Sequence, residues 1–414
     1  MLKLLQTTPK WYTIKLNKKS TLFSGENIFM QRYVYADNAA TTNVSASVLE
    51  AMMPYFKSEY GNPSSLYTSG RKASEAVNTA RENIAKLLGA KPSEIFFTSC
   101  GSESDNWAIK GAARANASKG KHIISTVYEH HAVLHTLEAL KKEGFEITLL
   151  EVDGDGLISP EQLEKAIRPD TILVAMMYAN NEIGTILPIK ELCEVAHAHK
   201  VPFFTDAVQA VGNIPVNVND LGVDMLALSG HKIHAPKGIG ALYIKTGTRV
   251  HNLIDGGGQE RRRRGGTENV PYIVGLSQAL TDAINALPDM ERIKMMRDRL
   301  AEGLSKIPNT RINGSMTHRL PGNINVAFEF IEGESLILLL DMAGIAASTG
   351  SACSTASLEP SHVLLSIGLP HEKAHGSLRL TLSHENTEED VDYILEQVPK
   401  IVERLRMMSP LYNN

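Results

Sequence analysis

From about residue 73 the chain alternates two kinds of hydrophobic spacing. Ala76, Val77, Ala80, Ile84, Leu87 and Leu88 recur at helical intervals and mark one amphipathic stripe. Short apolar runs follow at 95–98, 122–127, 147–152, 171–177, 202–205, 224–229 and 239–244, and these read as strands. Helical patterns lie between them, for example at 189–199 after Pro188. Strands apolar on both faces, separated by helices, predict an α/β fold. Its sheet is mostly parallel and is covered by helices on both faces.

The pattern changes near Pro288. A charged helix is predicted at 290–306, a strand at 323–330, a helix starting near Glu334, a strand at 377–383 and a final helix. Thr387 and Asp390 form a capping-box-like pair at the start of that helix, and Pro399 is expected to kink it. This reads as a smaller α+β domain. The division expected is a large domain over 43–287 and a small domain from 30–42 with 288–414. Residues 1–29 carry five lysines and no acid before Glu26. A transit peptide is disfavoured, because there is no arginine and Trp11-Tyr12 interrupts the segment. The preferred expectation is a loose arm, or a start at Met30.

Composition narrows the function classes. With 414 residues, 43% of them hydrophobic, the chain can bury a large core. The formal net charge of -4 argues against direct nucleic-acid binding or an anionic membrane partner. No apolar run approaches the roughly 20 residues of a membrane helix. Three cysteines, Cys100, Cys193 and Cys353, form no C-x-x-C pair. A disulfide framework or thiolate metal site is not expected, and a reducing cytoplasm is.

In open α/β sheets, ligands bind beyond the carboxyl ends of the strands. Five predicted strands end in polar or ionisable strings: Ser99 to Asn106, Tyr128-Glu129-His130-His131, Tyr178 to Glu182, Asp206-Ala207-Val208-Gln209 and Ser229-Gly230-His231-Lys232. Together they predict one site. Gly101-Ser102 opens a helix and suits a phosphate, although a plain serine cap is the common meaning of such a pair. Asp206 closes an apolar strand, so it must meet a cation or its pKa rises. Lys232 at a neighbouring strand end is a Schiff-base candidate. Lysine, pyridinium partner and phosphate cup together suit pyridoxal phosphate. His130 could stack on an aromatic ring and move protons, but a lone histidine is more often a core residue, and adjacent His131 leaves open which one acts. Cys353 lies in a run of small and polar residues, Ala347 to Ser357, that reads as a loop with a nucleophilic thiol. Cys193 reads as inert core, and Cys100 has no assigned role. Arg261 to Arg264, flanked by glycines, reads as a loop reaching a phosphate or a partner subunit.

The order of these motifs resembles the cysteine desulfurases of the NifS/IscS type, within the fold-type-I pyridoxal-phosphate superfamily. The matching strings are Tyr35-Ala36-Asp37-Asn38-Ala39-Ala40-Thr41-Thr42, Gly61-Asn62-Pro63-Ser64-Ser65, Glu103-Ser104-Asp105-Asn106, Asn180-Asn181-Glu182-Ile183-Gly184, Thr205-Asp206-Ala207-Val208-Gln209, Ser229-Gly230-His231-Lys232, Gly265-Gly266-Thr267-Glu268-Asn269 and Gly350-Ser351-Ala352-Cys353. The resemblance implies that Lys232 carries the cofactor and that Asp206 pairs with its ring nitrogen. It implies that His130 stacks on the ring, and that Asn181 and Gln209 bond near its hydroxyl. Gly101, Ser102, Ser229 and His231 hold the phosphate, with Thr267 from the other subunit of a homodimer. Arg379, with Asn38 nearby, binds the carboxylate of L-cysteine. Cys353 accepts the sulfur as a persulfide and passes it to an acceptor or iron–sulfur scaffold protein. No resident metal is implied; an iron–sulfur cluster held transiently through Cys353 is the one metal contact.

Some positions depart from the family pattern. Cys100 stands where glycine is common, Ser102 where threonine is common, His131 where proline or lysine is, and Tyr67 where histidine is. The tail from Met407 to Asn414 lacks the cysteine-containing end at which a scaffold docks in the housekeeping branch. Rival readings are a selenocysteine lyase, an aminotransferase, which has no need of Cys353, and a non-catalytic scaffold that keeps the cofactor for structure.

Overall fold

The structure is a computed structural model that describes residues 32–349 and 360–412. The arm 1–29 and Cys353 lie outside these residues. The strands in chain order are β1 (Val34–Tyr35), β2 (Ile95–Thr98), β3 (His122–Thr126), β4 (Glu146–Leu150), β5 (Thr171–Met177), β6 (Phe203–Asp206), β7 (Met225–Ser229), β8 (Gly240–Ile244), β9 (Thr310–Ile312), β10 (Asn323–Phe328), β11 (Ile345–Ala346) and β12 (Ser377–Thr381). The central sheet has seven of them in the order β2-β8-β7-β6-β5-β3-β4. The fold is α/β with a mostly parallel sheet, as the hydrophobic spacing implies.

β8 is the exception. It runs antiparallel to both β7 and β2. The connection between β7 and β8 covers only residues 230–239, too short for the crossover of a dozen or more residues that a parallel step needs. Two reversals in succession leave β2 pointing the same way as β7. The carboxyl ends of β2, β3, β5, β6 and β7 therefore share one rim. β3 passes to β4 on one side while β5 lies on its other side, so the crevice of the sheet opens between β3 and β5.

Helices cover both faces. Gly101–Asn116 and His131–Lys142 bury Trp107, Ile109, Val133 and Leu137 against one face. Ala46–Lys57, Thr68–Leu88, Ile189–Ala198 and Val270–Ala286 cover the other. In Thr68–Leu88 the buried line is Ala73, Val77, Ala80, Ile84 and Leu88, while Ala76 and Leu87 flank it half-buried. Gly89, at φ 74°, ends that helix by turning into the left-handed region. A second sheet, β12-β10-β9, is antiparallel and packs on helices Met290–Ser305, Gly333–Met342 and Glu388–Met408. Thr387 and Asp390 exchange the reciprocal caps expected of them. The last helix runs through Pro399 to Met408, with Val398, Ile401 and Val402 buried around the proline.

The arginine run makes contacts within its own chain. Arg261 lies over the Phe96 ring at 4.3 Å and donates to the Ile95 carbonyl at 2.7 Å. Arg263 donates to the Val250 carbonyl, and Arg264 pairs with Glu103 at 2.8 Å. Three of the four are thus spent on their own chain, because β2 and the following helix present carbonyls, an aromatic face and a carboxylate to them. The turn itself is left-handed, with φ of 44°, 57° and 65° at Glu260, Arg261 and Arg262. Such residues cost roughly 1–2 kcal/mol each. The offset comes from Glu260, which accepts two hydrogen bonds from the buried Arg81 at 2.8 Å and one from the Phe97 amide at 3.1 Å.

Removing one partner of a buried pair strands the other charge, at about 3–5 kcal/mol. Glu260→Ala is therefore expected to lower the denaturant midpoint sharply. Arg81→Met combined with Glu260→Leu is expected to cost less than the single change, as read from urea unfolding of the three proteins.

Candidate active site

The five strand ends meet around a cavity of about 270 Å³. β2 delivers Gly101 and Ser102, β3 His130 and His131, β5 Asn181, β6 Asp206 and Gln209, and β7 Ser229, His231 and Lys232. Arg379 reaches it from β12, and Ala39 and Ala40 from the segment after β1. Asn38, expected near the site, lies beside it, and Thr267 is expected to act in the partner subunit. Asn38 lines a neighbouring cavity and donates to the Thr381 carbonyl at 2.7 Å. Thr267 is exposed and does not line the cavity. Cys353 is outside the described residues.

Lys232 is held by the two small residues opposite it. Its Nζ donates to the Ala39 carbonyl at 2.6 Å and the Ala40 carbonyl at 2.8 Å. Gln209 donates to the same Ala39 carbonyl at 3.0 Å. Asp206 accepts from the Val208 amide at 2.9 Å. Burial raises its pKa, against the Val208 hydrogen bond and the charge of Lys232, which both lower it. His130 caps its own helix, with Nδ1 accepting from the Ala132 amide at 3.1 Å. That bond places the neutral ring's proton on Nε2. Burial, with the charge of Lys232 next, pushes His130 down to about 4, so the ring is neutral at physiological pH. His131 feels burial and His135 instead. Both rings line the cavity, and Lys232 is among the charges acting on His130.

Two more carboxyls lie under Asp206. Asp105 is 1% exposed, and its Oδ1 has no hydrogen-bond partner among the described residues. Burial and then Asp206 raise its pKa. Glu129 is fully buried. It accepts from the Thr126 hydroxyl at 2.6 Å and from the Met177 amide at 2.9 Å and 3.0 Å. Burial nonetheless pushes it up to about 8. Glu182, pushed up to about 7 by burial, accepts from the Ser361 hydroxyl. His362 contacts the Glu129 carbonyl at 2.9 Å through Nε2. Asp37 pairs with Arg379 at 2.8 Å. None of these contacts was assigned from sequence. Asp37, Asp105, Glu129 and Glu182 all stand inside quoted strings, but an acid in a polar strand end carries no signal of its burial.

The residues fit a phosphorylated pyridine. Beside Gly101, the Ser229 hydroxyl is buried and has no partner among the described residues. A Cβ at Gly101 would lie 2.8 Å from Val208 Cγ2, so the backbone there must stay bare. The first amides of helix Gly101–Asn116 have no intrahelical acceptor and carry the positive end of its dipole. An anion at this point would satisfy both amides and hydroxyl. Asp206 supplies the anionic partner for a ring cation, and Lys232 the amine.

A family profile described as Aminotransferase class-V matches residues 34–394. The chain belongs to the class-V aminotransferase family. A protein named "Cysteine desulfurase IscS" from Methanosarcina thermophila is 57% identical over 389 residues, covering 94% of this chain and 96% of its own. Another of that name from Clostridium botulinum is 55% identical, covering 93% and 98%. Among solved structures, a "NIFS-LIKE PROTEIN" superposes with a TM-score of 0.86 at 40% identity, covering 90% of this chain and all of its own. One titled "SspA in complex with cysteine" has a TM-score of 0.75 at 39% identity, covering 84% and 98%. Members of this family bind pyridoxal phosphate, in keeping with the lysine, aspartate and phosphate cup found here. Among the described residues no helix is long and apolar enough to cross a membrane.

Glu129 gives the cofactor-free protein a defined pH response. Folded, it keeps its proton to about pH 8; unfolded, it releases it near its ordinary 4.5. Between those values the native state binds the extra proton, so stability falls as pH rises. Glu129→Gln is expected to flatten that decline, as measured by thermal denaturation of the cofactor-free protein across the window. Equal slopes in the two proteins would mean that Glu129 is ionised in the fold.

Proposed function

We propose that this chain is a homodimeric, pyridoxal-phosphate-dependent cysteine desulfurase that converts L-cysteine to L-alanine and receives the sulfur on Cys353. The observation that carries this reading is the meeting of Lys232, Asp206 and the unpartnered Ser229 hydroxyl at one cavity. Relatives named cysteine desulfurase, 50–57% identical over more than nine-tenths of the chain, support the choice of reaction. In this reading residues 43–287 form the cofactor-binding domain, and residues 30–42 with 288–414 the smaller one that carries Cys353.

Bound in the cavity, pyridoxal phosphate supplies an imine link to amines and an electron-withdrawing ring next to the substrate Cα. Gly101, Ser102, Ser229 and His231 hold its phosphate. Thr267, exposed on its glycine loop, reaches the phosphate of the partner subunit. Asp206 holds a proton at the ring nitrogen, while Asn181 and Gln209 bond near the ring hydroxyl. His130 would face the ring, with its Nε2 proton available for transfer. Arg379 would bind the substrate carboxylate, with Asn38 nearby. The Lys232 amine, when free, would take the Cα proton at Nζ. The Cys353 thiolate attacks the substrate sulfur; an S–S bond forms as the C–S bond breaks. Alanine leaves, and a persulfide stays on Cys353. In the cytoplasm that sulfur goes to a scaffold for iron–sulfur clusters or toward thiolated tRNA and cofactors.

The deciding assay incubates the holoenzyme with L-cysteine and a thiol reductant and quantifies alanine and sulfide. Equal amounts are expected. A keto acid without alanine would instead indicate an aminotransferase or lyase. Cys353→Ser is expected to keep the cofactor's visible absorbance and its change on adding L-cysteine, but to release less than about a hundredth of the sulfide. Undiminished sulfide would remove Cys353 from the acceptor role.

A further inference from the structure

The guanidinium of Arg379 is only 2% exposed, and its donors are unevenly used. Nη2 donates to Asp37 Oδ1 at 2.8 Å, and Nη1 to the Asn181 carbonyl at 3.0 Å. Nε is buried and has no acceptor among the described residues. A buried N–H that no described residue accepts is a bond a ligand can make. A guanidinium presents its donors in a rigid plane, so whatever fixes Nη2 also aims Nε.

Asp37 is itself rigidly placed. Its backbone bridges to Thr381 on the strand that carries Arg379. The amide of Ala39 donates to the Thr381 hydroxyl at 2.9 Å. Tyr35 donates its hydroxyl to the carbonyls of Asp37 at 3.2 Å and Thr41 at 2.8 Å. Two and three residues beyond Asp37, the carbonyls of Ala39 and Ala40 hold Lys232 Nζ. One short segment thus sets the plane of the arginine and the resting place of the lysine.

We propose that Asp37 is a positioning residue for substrate recognition: it clamps Arg379 so that Nε and its neighbouring donor meet the α-carboxylate of the amino acid. This rests on the reading above that Arg379 binds that carboxylate. Asp37 touches no substrate atom; it acts by holding the guanidinium in register and balancing its charge while the site is empty. Selectivity for an amino acid over the same amine without its carboxylate then depends on Asp37.

The test uses the holoenzyme and two unreactive probes, L-alanine and ethylamine, titrated against the cofactor's visible spectrum. Asp37→Ala is expected to weaken L-alanine at least about tenfold and ethylamine less than about twofold, since one charge-assisted bond is lost on one probe only. For L-cysteine turnover, KM is expected to rise with kcat within about threefold. Asp37→Asn, which keeps an oxygen for Nη2, is expected to recover most of the lost selectivity. Should Asp37→Ala fail to fold with cofactor, Asp37→Glu carries the same expectation as Asp37→Ala, because it keeps the charge and moves the oxygen. An unchanged ratio of L-alanine to ethylamine affinity, or equal loss of both, overturns the proposal. Arg379→Ala separates the two levels. If it too leaves the ratio unchanged, the carboxylate reading itself is wrong. If it collapses the ratio while the Asp37 variants do not, only the role of Asp37 falls.

Discussion

Three carboxyl groups buried side by side cannot all be charged. Asp105, Glu129 and Asp206 lie under one cavity, each taken out of water and each raising the others' pKa or raised by them. Desolvating a lone carboxylate costs several kcal/mol, so such a cluster keeps protons unless a donor or cation intervenes. Glu129 has two neutral donors and still stays protonated near neutral pH. Asp206 is the one with both an amide and the charge of Lys232 on its side. The charge of Lys232 thus favours a carboxylate at Asp206, where a ring cation can meet it.

The sheet makes that concentration possible. Because β8 reverses direction, β2 returns to the common orientation and its helix opens onto the same rim as Lys232. Without the reversal, the amides at Gly101 would face the opposite edge, away from the acids and the amine. The cavity therefore has its anion-binding end and the carboxylate for a ring cation at one rim of the sheet. Arg379 and the carbonyls of Ala39 and Ala40 close it from the second sheet and the entering segment.

Much of this could be read from residue order. Each of the seven apolar runs is a strand, and the string after each of five of them lines the cavity. Strand direction was less legible. The ten residues between Ser229 and Gly240 are the sole hint of the antiparallel β8, and hydrophobic spacing does not encode orientation. Partnership was the least legible. Four arginines between glycines look like a loop that reaches outward, yet three of them meet Ile95 and Phe96, Val250 and Glu103 of their own chain. Glu129 and Asp105 have the composition of polar loop residues, and only the packed sheet reveals that they are shut away from water. Asp37 belongs to a matching string but meets Arg379 across 342 positions of chain.

The anchored turn at Glu260 has a bearing on the protein's life outside catalysis. A loop with four consecutive arginines between glycines is, on paper, the chain's most inviting target for a protease that cuts after basic residues. Such an enzyme must lay several residues out straight in its cleft, with the basic side chain inserted in a pocket. Here the backbone is coiled left-handed and three of the side chains are already engaged by β2, the neighbouring carbonyl of Val250 and Glu103. Straightening the turn would draw Glu260 away from the buried Arg81. The same contacts that carry the strained turn therefore oppose the extended form in which such an enzyme takes its substrate.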